Sequence, residues 1–75
     1  MDWRQYVKTD PEIMHGAPCF VGTRVPVYVV LDNLAAGESR ERILGNYPSV
    51  KPQHILAAIA YAADLARERI LPVPA

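Results

Sequence analysis

The side chains best suited to covalent or metal chemistry in this sequence are two histidines and one cysteine, and their neighbours decide whether they perform any. His15 follows Asp10 and Glu12, and imidazole with carboxylates is a common donor set for a divalent metal or a proton relay. The spacing in DPEIMHG matches no recognised site, so a solvated loop is the expected setting. Cys19 sits beside Phe20 with nothing around it to raise its thiolate fraction, which predicts a small core residue rather than a nucleophile. Glycines at 16, 22, 37 and 45 are too scattered to cradle a phosphate. The expectation is a protein that is not an enzyme and takes no cofactor and no metal.

A second kind of chemistry is recognition of nucleic acid. A short helix, a turn and a longer helix are the parts of a helix-turn-helix reader, and the start of the longer helix would offer Lys51, Gln53 and His54 to base edges. Arg24, Arg40 and Arg42 would add phosphate contacts. Against this, the connector NYPSVK is longer than the usual three or four residues. Eight basic side chains are cancelled by eight acidic ones, with no basic lobe, and phosphate neutralisation by Lys and Arg dominates such affinity. DNA binding by an isolated monomer is expected to be weak, and ordinary solvating charges are the alternative reading.

The elements that must hold these residues fit in 75 residues, read as a single domain: 1–24 short strands and loop, 25–71 a trihelical unit, 72–75 a tail. With 51% hydrophobic and 21% charged residues the chain should fold, yet a domain this small buries only roughly 60% of its unfolded surface and gains from a partner. WRQYV reads as a strand and Cys19, Phe20 and Val21 as a second. The long intervening loop leaves open whether they pair within one chain or between two. Thr9 or Asp10 ahead of Pro11 could cap a single helical turn there, with a loop as the preferred reading.

From Val25 the periodicity becomes helical, with Pro26 suited to the first turn and Val27, Val30, Leu31 and Leu34 on one face. Gly37 ends this helix, Ser39 caps a short second one that turns Ile43, Leu44 and Tyr47 inward, and Pro48 stops it. Lys51 and Pro52 open a third helix running to about Ile70, where Pro72 and Pro74 forbid continuation.

At 100° per residue the third helix carries two apolar stripes. Ile55, Leu56, Ile59, Ala62, Ala63, Ala66 and Ile70 are expected to form the core face, and Gln53, Ala57, Asp64, Arg67 and Glu68 the solvated one. His54, Ala58, Tyr61 and Leu65 follow a 4, 3, 4 spacing with Arg69 at the far end, which is the step pattern of a helix-packing seam. We expect this second stripe to meet another polypeptide, with cover by the chain's own N-terminal strands as the alternative.

The string DPEIMHGAPCFVGTRVPV, followed by AAGES, ILGNYPSV and AAIAYAAD, resembles the bacterial and archaeal domain-of-unknown-function family 433 over nearly the whole chain. Asp10, Pro11, Gly16, Pro18, Gly22, Thr23, Arg24, Pro26, Gly37, Tyr47 and Pro48 match the family pattern. Arg24 is the charged member that could anchor a loop or ligand. Ala17 stands where the family often has Lys, and Val50–Lys51 where it often has Leu-Thr, which removes a capping hydroxyl from the third helix.

The resemblance implies a mainly α, homeodomain-like three-helix bundle of helix-turn-helix type preceded by short N-terminal β-strands. Because many members are encoded beside a protein of PIN-like ribonuclease fold, it also implies a type II antitoxin, with promoter DNA as a further partner. The reading at this stage is a homodimer that occludes a PIN-like toxin with the second stripe and the segment ILPVPA. A transcriptional regulator without a toxin and a structural dimerisation module are the alternatives. The lone thiol, the polar N-terminus and the lack of a long apolar run predict a cytoplasmic protein.

Overall fold

The computed structural model describes residues 1–12 and 14–68. In chain order these form a 3-10 turn at Trp3–Gln5, strand β1 (Val7–Lys8), a distorted 3-10 turn at Met14–Gly16, strand β2 (Cys19–Phe20), and helices α1 (Val27–Ala35), α2 (Arg40–Asn46) and α3 (Pro52–Glu68). The protein is a mainly helical fold with a short antiparallel sheet at its N-terminus, as expected.

The first strand is shorter than WRQYV suggested. The Asp2 carboxylate accepts from the Arg4 amide at 3.1 Å and the Asp2 carbonyl from Gln5 at 3.3 Å. This local cap competes with an extended chain and winds Trp3–Gln5 into a turn. The strands pair within one chain, with Val7 opposite Phe20 and Lys8 opposite Cys19. Between them, the Asp10 carboxylate accepts from the Glu12 amide at 2.9 Å, which closes a turn in the loop rather than capping a helix.

The turn after β2 is built by Thr23, not by Arg24. The Phe20 carbonyl accepts from both the Thr23 amide and its hydroxyl, at 3.0 and 2.9 Å, while that hydroxyl accepts from the Val25 amide at 3.0 Å. Gly22 supplies the left-handed residue the turn needs, at φ +82°. Pro26 lies just before α1 in extended geometry and bridges back to Cys19.

Ser39 caps α2 by accepting from the Arg42 amide at 3.2 Å. At α3 the capping hydroxyl missing from position 51 is replaced from the other side. The His54 Nδ1 accepts from the Lys51 amide at 2.9 Å, a capping-box bond made by an imidazole. The core gathers Val7, Phe20, Val27, Val30, Ile43, Val50, Ile55 and Ala58, so every element except the 3-10 turns contributes to one cluster. Leu31, Leu34, Leu44 and Tyr47 pack against it, as their periodicity predicts.

Candidate functional site

α3 turns a different face inward from the expected one. Ala57 and Ala58 are fully buried, Ile55 is nearly so, and His54 and Tyr61 are half-buried. Tyr61 meets Trp3 edge to face at a ring separation of 4.9 Å. His54 lies over Phe20 at 5.0 Å and meets Tyr6 edge-on at 6.3 Å. Hence His54, Ala58 and Tyr61, expected at a protein interface, are covered by the chain's own N-terminal segment. Leu65 is 42% exposed, one turn beyond that cover. Arg69, Ile70 and the segment ILPVPA lie outside the described residues.

The seam closes on a polar tie. The Trp3 indole N–H donates to one Asp64 oxygen at 2.6 Å, and Arg67 holds the other at 2.6 Å. The Arg4 guanidinium stacks over the Trp3 ring at 4.5 Å. Asp64, expected on the solvated side, is thus the latch for the N-terminal turn. A half-buried indole needs an acceptor, and the sequence signal for this pairing was the isolated Trp near the start of a chain short of cover.

The outward face of α3 carries the stripe expected in the core. Leu56 and Ile59 are each 44% exposed, and Ala66 is exposed beyond them. At 100° per residue Leu56, Ile59, Ala63 and Ala66 fall within an arc of about 80°, and Leu56 lies about 180° from Leu65 on the covered side. Of the expected core stripe, Ile55 is buried as expected, Ala62 and Ala63 are half-buried, and Leu56, Ile59 and Ala66 are exposed.

The nucleic-acid candidates are dispersed. Lys51 and Gln53 are exposed at the start of α3, and Arg24 and Arg40 are exposed elsewhere. Arg42 pairs with Glu38 at 3.1 Å, and Lys51 Nζ donates to the Pro48 carbonyl at 3.3 Å. His54 is committed to its cap and its aromatic neighbours, which removes it from base contact. Burial and the Lys51 ammonium push its pKa below the usual histidine value, partly opposed by a backbone hydrogen bond at Val21.

His15 is exposed, with left-handed backbone at φ 57°, and Cys19 is buried, as expected of a core thiol. Among the described residues, no group of three or more His, Cys, Asp or Glu side chains is placed to hold a metal ion. No helix among them is long and apolar enough to cross a membrane. A groove of about 380 Å³ beside the aromatic seam is lined by Trp3, Val7, Lys8, Thr9, Pro18 and Tyr61.

The fold and this two-faced helix define a small trihelical module with an N-terminal hairpin-like cover. Residues 7–62 match the model of the family described as "Protein of unknown function (DUF433)", and the chain belongs to that family. The uncharacterized protein y4eO of Sinorhizobium fredii is 46% identical over 59 residues, which are 79% of this chain and 27% of that protein. The chain therefore spans about a quarter of the length of that curated relative. The crystal structure of a DUF433 member protein from Anabaena variabilis has the same fold, with a TM-score of 0.73 at 22% identity, over 83% of this chain and 61% of that one.

Proposed function

We propose that this chain is a non-enzymatic, antitoxin-like module that binds a PIN-like ribonuclease through the outward face of α3. One observation carries the reading: Leu56 and Ile59, each 44% exposed, are aligned on a rigid helix whose other side is already packed. Two aligned aliphatic anchors beside small alanines suit close approach of a protein partner, and the balanced charge of the chain does not favour a polyanion. The tie to a ribonuclease rests on the family resemblance. In the free protein two copies shield the stripe in a dimer, and the ribonuclease takes the place of the second copy. Inhibition works by occlusion, the bound module covering the nuclease's metal site.

The test is RNA cleavage by a PIN-like ribonuclease from the same source as this chain, with and without it. The wild-type chain suppresses cleavage, and Leu56→Glu with Ile59→Glu restores it. Suppression undiminished by those charges contradicts the assignment of the face.

A second reading, promoter DNA recognition, is favoured by the exposure of Lys51 and Gln53 at the start of α3. DNA affinity of that kind falls steeply as salt rises, in proportion to the phosphates contacted, whereas an apolar protein interface is little affected.

A further inference from the structure

His54 joins three parts of the molecule. Its Nδ1 accepts from the Lys51 amide at the first turn of α3, its ring lies over Phe20 of β2, and its edge meets Tyr6 beside β1. We propose that His54 is a proton-operated latch: with Nδ1 free it caps α3 and clamps the N-terminal segment onto that helix, and a proton on Nδ1 releases both.

The chemistry follows from the donor and acceptor inventory. A neutral imidazole with a bare Nδ1 can accept from Lys51, whereas an imidazolium carries hydrogen on both nitrogens and faces the Lys51 N–H with a second donor. The added charge also lies at the positive end of the α3 dipole and next to the Lys51 ammonium. The groups facing the ring explain why nothing compensates. From the start of α3 comes Lys51, whose ammonium is turned to the Pro48 carbonyl; from the N-terminal turn, the Tyr6 phenol; from β2, the apolar Phe20 ring. Only the Val21 backbone hydrogen bond favours the protonated ring. Because Phe20 and Val21 lead directly into the Gly22 turn, loss of the ring from this position frees β2 and, through its pairing, β1.

The experiment compares amide protection factors of the intact chain at pH 7.5 and pH 5 by NMR, together with the titration of each histidine ring. The latch predicts that protection of the Lys51 and Val21 amides falls by up to about tenfold for each pH unit between the ordinary histidine value and the lower His54 midpoint. In His54→Gln the side chain still supplies a capping-box acceptor but takes up no proton, so protection stays constant across the range. An equal loss in His54→Gln overturns the proposal. So does a wild-type ring that titrates while Lys51 and Val21 remain protected, a result that needs no variant to fold.

Discussion

At the scale of single residues, Trp3, Asp64 and His54 tie the two ends of the chain together. Trp3 brings an aromatic face to Tyr61 and an N–H to Asp64, so two kinds of interaction converge on one side chain. Trp3→Ala is expected to cost about 2 kcal/mol, less than a fully buried Trp because the site is half open, read from the urea midpoint. A cycle of Trp3→Phe and Asp64→Ala should return a coupling of about 1 kcal/mol, the size of a partly solvated charge-assisted bond. His54 adds a pH dependence whose sign follows from its depressed pKa. Above the unfolded value of 6.5 both states are neutral there and its contribution is fully present. As pH falls below that value the unfolded chain binds the proton first, so stability declines until pH passes the folded pKa. Stability curves at several pH values check this, and His54→Gln should flatten the slope between pH 6.5 and the lower midpoint.

At the scale of elements, the helices were legible because their punctuation is local. Gly37 at φ +84°, the Ser39 cap and the Pro48 stop each act within a few residues of themselves, and α1 ends and α2 begins and ends close to where those signals lie. The inward side of α3 was not legible, for a reason that is also physical. Ranking by side-chain size puts Leu56 and Ile59 inside, but the space beneath the helix is filled from outside it, by Phe20, Trp3 and Val7. Large aromatic neighbours require small partners, so Ala57 and Ala58 mark the buried side. A pair of substitutions separates the two assignments. Ala58→Leu overfills a closed site and should cost about 2 kcal/mol, whereas Leu56→Ala should stay within about 0.5 kcal/mol, both read from chemical denaturation. The WRQYV segment was misjudged by the same kind of omission, since alternation alone does not reveal that the Asp2 carboxylate will cap a turn.

At the scale of the whole molecule, one core uses material from both ends of the described chain, and of the large apolar side chains it leaves exposed, Leu56 and Ile59 lie together on the outer side of the longest helix while Met1, Val21, Tyr28 and Leu65 lie elsewhere. Exposed aliphatics are ordinary on a protein surface when scattered; their alignment on one helix is what supports the proposed protein interface. The surplus of apolar surface on α3 could be read from sequence, because it depends only on counting residues around the helix. Which stripe is the surplus depends on the N-terminal segment folding back, a contact between residues about sixty positions apart that no local pattern encodes. The proposed protein interface therefore rests on Leu56 and Ile59 as its anchors. The most direct measurement is the calorimetric affinity of the proposed PIN-like ribonuclease partner for the wild-type chain and for the Leu56→Glu, Ile59→Glu variant, with helix content followed by circular dichroism. Loss of about a hundredfold in affinity at unchanged helix content is the predicted result. Equal affinity of the two proteins at equal helix content would contradict it.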